Sequence, residues 1–133
     1  MHGFIEEEDA KDEDLGKFLE KTLHKFLVQN PNVNAAAIIT MEGLPIMSAF
    51  PRHMDEIRIA AITATLLSLA ERSIIEIGKG KFSQLFIKGS EGYLVVLQAG
   101  PNAVLMISTT SDIQLGLLFF DAERLIEKIS DRL

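Results

Sequence analysis

The sequence predicts an α+β domain: a five-stranded antiparallel sheet with helices on its faces, in the order α-β-β-α-β-β-β-α. Three observations predict it. Short apolar runs are joined by turn chemistry at Glu42-Gly43, at Gly89-Ser90-Glu91-Gly92 and at Gly100-Pro101-Asn102. Three other segments carry helical periodicity. Hairpins with helices between them give this class rather than a parallel sheet.

The first helix is predicted from about Asp14 to Gln29. Leu15, Phe18, Leu19, Thr22, Leu23, Phe26 and Leu27 recur at helical spacing, Lys17, Glu20, Lys21 and Lys25 fall opposite, and Asn30-Pro31 stops it. Val33–Thr40 reads as a strand whose alanines let something pack close. Leu44–Phe50 reads as the returning strand. Pro45 cannot donate to a ladder, so that strand is a sheet edge or begins at Pro45. A long helix begins near Met54 with Asp55 as cap, and Gly78 and Gly80 end it. Three strands follow, Phe82–Lys88, Tyr93–Gln98 and Ala103–Thr109. A last helix begins at the capping pair Ser111-Asp112 and runs to the C-terminus.

A chain of 133 residues suits one domain with one core, and 47% hydrophobic residues is much for so small an interior. There are no cysteines, which excludes disulfides and thiolate or iron–sulfur chemistry and fits a cytoplasmic protein. The N-terminus is acidic, unlike a secretory or mitochondrial leader, and no apolar run reaches the ~20 residues of a membrane span. The net charge of −6 is local. Seven of the 19 acids lie in residues 1–14 against Lys11 alone, leaving 12 acids and 12 bases elsewhere. Residues 1–14 therefore read as an acidic, disordered tail before a domain spanning 15–133, and the neutral domain lacks the basic balance of a nucleic-acid binder.

The stretch IRIAAITATLLSLAERSIIEI, residues 57–77, is apolar around most of its circumference. On a helical wheel Arg58, Thr65, Arg72 and Glu76 share one narrow wedge. Ile59, Ile62, Leu66, Leu69 and Ile77 make a broad large-residue face, and Ala60, Ala61, Ala64 and Ser68 a small-residue face. One sheet covers about half of such a helix, so the rest needs a second cover. Two covers fit: another helix of the same chain, or a second copy of the same helix, which a two-fold axis supplies at no extra sequence cost; the small face favours close helix–helix approach. The strand FSQLFIK has apolar residues on both faces and no proline or central charge to guard its edge, which invites pairing with another chain.

Catalytic signals are few. His2, His24 and His53 lack metal-ligand spacing. The segment GKGK at 78–81 lacks the phosphate-loop spacing and follows a helix instead of preceding one, so it reads as a helix cap and turn. No serine sits in GxSxG, and Asp112, Asp121 and Glu123 fit the start and outer face of the last helix. The methionines make no helical stripe and read as filler. No enzyme, cofactor or metal is expected.

Three stretches resemble the roadblock family of dynein light chains and their archaeal and bacterial relatives. AAAIITMEGLPIMS looks like the family's first hairpin. IRIAAITATLLSLAERSIIEIGKGKFSQLFIK looks like its central helix and following strand. GYLVVLQAGPNAVLMISTTSDIQLGLLFFDAERLIEKI looks like its last hairpin and closing helix. The resemblance spans about Leu15 to Leu133, with Glu42 where aspartate is common.

It implies a roadblock/profilin-like fold and a homodimer with one ten-stranded sheet, although a heterodimer with a paralogue is compatible. The dimer residues it implies are Ile59, Ile62, Ala64, Leu66 and Leu69 on the helix and Phe82, Gln84 and Phe86 on the strand. It also implies a non-catalytic scaffold or regulator of a Ras-like small GTPase, contacted on the two-helix side through Arg58, Thr65, Arg72 and Glu76. Nucleic acid and direct membrane insertion are not implied. Two other readings compete: an adaptor subunit of a motor- or membrane-associated complex without nucleotide sensing, and a small-ligand sensor.

Overall fold

The computed structural model describes residues 2–133, with side chains from Glu13 onward. The elements are α1 (His2–Gln29), β1 (Val33–Thr40), β2 (Pro45–Ala49), α2 (Glu56–Glu76), β3 (Gln84–Gly89), β4 (Gly92–Gln98), β5 (Ala103–Thr110) and α3 (Leu115–Ile129). A 3-10 turn, Ser130–Arg132, closes the chain. The order is the expected one. All strands pair antiparallel in the sheet order β2-β1-β5-β4-β3.

Strand alternation divides the interior into two cores. Ala36 and Ile38 of β1, Val95 and Leu97 of β4, and Leu105 and Ile107 of β5 face α1 and α3. There they meet Leu19, Leu23 and Phe26 of α1 and Leu118, Ala122, Leu125 and Ile129 of α3. Ala37 and Ile39, Val96, and Val104 and Met106 face the other way, against Ala60 and Leu67 of α2. The central strands are covered on both sides, which is why they read as unbroken apolar runs. Two helices cover one face of the sheet and a single helix covers the other.

Local chemistry sets the ends of α2. The Asp55 carboxylate accepts from the Arg58 N–H at 3.2 Å, capping the N-terminus. At the C-terminus Gly78 takes φ +70°. The Gly78 N–H reaches the Ile75 carbonyl at 3.0 Å and the Lys79 N–H the Ile74 carbonyl at 2.9 Å, a Schellman arrangement. GKGK is thus a helix cap and turn. Pro45 is both the first residue of β2 and part of an edge strand, so it withholds nothing from a central ladder.

Several boundaries differ from the sequence expectation. α1 begins at His2 rather than near Asp14. Glutamate, alanine and lysine are good helix formers. Among the described side chains, those packed on the core begin at Leu15. α3 begins at Leu115 with Gln114 in the cap position and no side-chain cap bond. Asp112 instead accepts from the Thr110 hydroxyl and closes the turn after β5. β2 is shorter than Leu44–Phe50, and β3 starts at Gln84 rather than Phe82. Phe82 packs against the α2-side core just before the strand.

Part of the small-residue face of α2 has a cover within the chain that the sequence reading did not anticipate, while Ala61 and Ser68 stay exposed. Gly43, at φ +96° in the β1–β2 turn, lies so close to α2 that a Cβ there would sit 2.9 Å from Ala64 Cβ and 3.4 Å from the Ala60 carbonyl. The alanines and the glycine fit each other. Gly43→Ala is expected to lower stability by about 2 kcal/mol in urea denaturation, from left-handed backbone and overlap together. In a double-mutant cycle Ala64→Gly should recover the overlap part and leave the backbone part.

Candidate interaction surface on the central helix

The buried face of α2 is narrow. Only Ala60, Thr63 and Leu67 are buried, and the Thr63 hydroxyl donates to the Ile59 carbonyl at 2.8 Å, so this polar group is satisfied. Ile59, Ala64, Leu66, Ala70 and Ile74 flank that face half-buried. Everything outward of them is exposed, including Ile62 at 50% and Leu69 at 58%.

Arg58, Ile62, Thr65, Leu69, Arg72 and Glu76 are all exposed, and their spacing alternates between four and three residues. That is the spacing of a coiled-coil seam, so all six form one strip along the helix. The sequence reading assigned Ile62 and Leu69 to one surface and the other four to another. The structure brings them together as neighbours on a single strip, apolar in its middle and charged at its ends. The Thr65 hydroxyl donates to the Ala61 carbonyl at 3.1 Å and the Ser73 hydroxyl to the Leu69 carbonyl at 2.8 Å. Both hydroxyls are occupied within the helix, which leaves the strip less polar than its composition suggests.

The remaining anticipated residues divide among three places. Ala64 faces the chain's own β1–β2 turn. Ile59 and Leu66 lie on the opposite flank, toward the β3 side of the sheet. Phe82 is half-buried under α2 and Gln84 is exposed. Phe86 points to the other side of the sheet, where its ring centroid lies 5.0 Å from Tyr93 and 6.5 Å from Phe119. Within one chain the side bearing two helices is that of α1 and α3. Arg58, Thr65, Arg72 and Glu76 stand on α2, alone on the opposite side, so only a second copy would make theirs a two-helix surface.

β3 forms one edge of the sheet and pairs with β4 alone. Phe86 and Ile87 on it are 40% and 38% exposed. Sequence reading missed Ile57 and Ile75 as site candidates, although they are 71% and 67% exposed. Their separation of 18 residues is five helical turns, which puts both on one flank and was the available signal. An open groove of about 560 Å³ runs between the β1–β2 turn and α2, lined by Met41, Glu42, Ala61, Thr65, Ser68 and Leu69. Among the described residues no group of three or more His, Asp or Glu is placed to hold a metal ion. No described helix is long and apolar enough to cross a membrane.

Fold and surface together define a sheet-and-helix domain whose most extended apolar exposure lies along one helix and the strand that follows it. The chain belongs to the Roadblock/LC7 domain family, whose model matches residues 19–109. A search of curated proteins by sequence finds no match. Among solved structures, a Roadblock/LC7 domain from Streptomyces avermitilis is 27% identical with a TM-score of 0.66, covering 82% of this chain and 95% of that one. MglB of Myxococcus xanthus is 18% identical with a TM-score of 0.76, covering 89% and 93%. An MglB described as having a tetrameric arrangement is 16% identical with a TM-score of 0.78, covering 88% of each chain. The two MglB likenesses speak to fold alone.

The two sides of α2 should respond differently to truncation. Leu67→Ala, at 1% exposure, is expected to cost about 2–5 kcal/mol in urea denaturation. Thr65→Ala, whose hydroxyl bonds only within the helix, should stay within about 0.5 kcal/mol of wild type.

Proposed function

We propose that this chain is a homodimeric, non-catalytic scaffold or regulator that binds a Ras-like small GTPase in the cytoplasm. The observation that carries the proposal is adjacency. The unpartnered strip of α2 and the unpaired edge of β3 are separated by only the turn through residues 77–83. A two-fold axis beside β3 would pair the two β3 strands into a ten-stranded sheet. It would also set two α2 helices side by side through Ile59, Ile62, Leu66 and Leu69, with Phe82, Gln84 and Phe86 at the strand seam. Family membership supports this reading, and the tetrameric arrangement described for one MglB is in keeping with self-association.

In such a dimer the outward parts of both strips form one surface. Arg58, Thr65, Arg72 and Glu76 would contact the GTPase there. Regulation would follow from unequal affinity for its GTP-bound and GDP-bound forms, because a ligand shifts a conformational equilibrium only by its differential affinity. Reshaping of the GTPase's own switch loops suffices, and an arginine finger from Arg58 or Arg72 is not required.

Light scattering after gel filtration tests the dimer. Wild type should run at twice the 14.7 kDa of one chain, and Leu69→Arg at the mass of one chain, because the seam would bury an unpaired cation. Wild type at the single-chain mass at micromolar concentration would overturn the dimer. Leu69 serves better than Leu66 here, since Leu66 is half-buried in its own chain.

Titration calorimetry against the Ras-like GTPases of the same cell, each loaded with GDP or a non-hydrolysable GTP analogue, tests the partner. About a tenfold preference for one state, lost in Arg72→Glu, is the expected result. Equal affinity for both states would favour the adaptor reading instead.

A further inference from the structure

The sheet has a second open edge, at β2, at the opposite end from β3. We infer that this edge, with the groove beside it, docks an extended acidic segment of a partner protein as an additional strand.

β2 pairs with β1 alone, so the backbone groups on its other side have no partner strand. Beside it α1 and β2 enclose a groove of about 470 Å³. Met47 and Ala49 of β2 form its apolar part, and Lys17, Lys21 and His24 of α1 its cationic part, with Glu20 the one acid. Lys17, Lys21 and His24 are exposed, and Met47 and Ala49 are half-buried.

The spacing selects a pattern. Lys17 and Lys21 stand four residues apart on the helix, a rise of about 6 Å. Alternate residues of a strand advance by about 6.7 Å. A strand added along β2 would therefore present every second side chain to successive lysines. The intervening side chains would fall on the other face of the sheet, beside Ile46, which is 38% exposed. The fitting segment alternates acidic and apolar residues.

Edge strands are commonly guarded by proline, brevity and charge; β2 has the first two, and the lysines of α1 stand beside it. Pro45 guards only the first residue of the strand. The two lysines discriminate by sign, repelling a cationic strand and attracting an acidic one. β2 and β3 close opposite ends of the sheet, so this site stays open in the dimer proposed above and does not depend on it.

Fluorescence anisotropy with a labelled eight-residue peptide alternating glutamate and valine tests the inference. Saturable binding is expected, about tenfold weaker for the Lys17→Glu, Lys21→Glu double variant and for a peptide alternating lysine and valine. Methylating every backbone nitrogen of the peptide should abolish binding, since strand addition uses N–H groups that face β2. Lys17→Gln with Lys21→Gln should give an intermediate loss. Both lysines are exposed, so an unchanged melting temperature is expected in each variant. The inference is overturned if no saturable binding occurs up to ~1 mM. Equal binding by the double variant, or by the methylated peptide, would overturn it as well.

Discussion

Unequal cover of a single sheet is the constraint on which the rest of this molecule depends. Five antiparallel strands present two apolar faces, and the chain supplies two helices for one and a single helix for the other. The face under α1 and α3 closes over its central strands, with Ile38, Val95, Leu105 and Ile107 at 0% exposure, and opens only toward β3, where Phe86 is 40% exposed. The face under α2 closes only along the middle, through the residues that meet Ala60 and Leu67. A helix alone on a sheet keeps its own far side in solvent. That geometry turns the apolar character of residues 57–77 into an exposed strip and not a deeper core.

The position of α2 is set by contact between small groups. Gly43 in the β1–β2 turn and Ala60, Ala61 and Ala64 on the helix approach within van der Waals range, which no larger side chain at 43 would permit. This contact holds one flank of α2 against the hairpin. The opposite flank, with Ile59 and Leu66, is thereby left toward β3, where the chain offers less to cover it.

Much of this was legible in the sequence, and the exceptions share a cause. The runs in β1 and β5, the cap at Asp55, the stop at Gly78 and the edge role of Pro45 are local matters, decided by alternation, capping or the missing N–H of proline. The misplaced starts of α1 and α3 are also local, but there two local signals compete. A run rich in glutamate suits both a solvated tail and a helix, and Ser111-Asp112 suits both a cap and the turn that Thr110 completes. The cover on Ala60 and Ala64 went unseen for a different reason. Gly43 lies far away in the sequence, and no wheel shows what packs on a face. The strip itself was legible: the spacing of four and three residues puts Ile62 and Leu69 on one line with Arg58, Thr65, Arg72 and Glu76, and the sequence reading divided them by residue type instead.

The two ends of the sheet also bear on how large an assembly can grow. A chain with two unguarded edges would propagate copy upon copy into a fibre. In the proposed dimer Phe86 and Ile87 at β3 would accept a neighbour, whereas the β2 end is flanked by Lys17 and Lys21 and begins with a proline. Two β2 ends meeting across a symmetry axis would bring lysine toward lysine, and like charges that close oppose association. Polymerisation through the sheet of the proposed dimer would thus be self-terminating after one pairing, and the same proline and lysines guard an edge strand against becoming a template for aggregation.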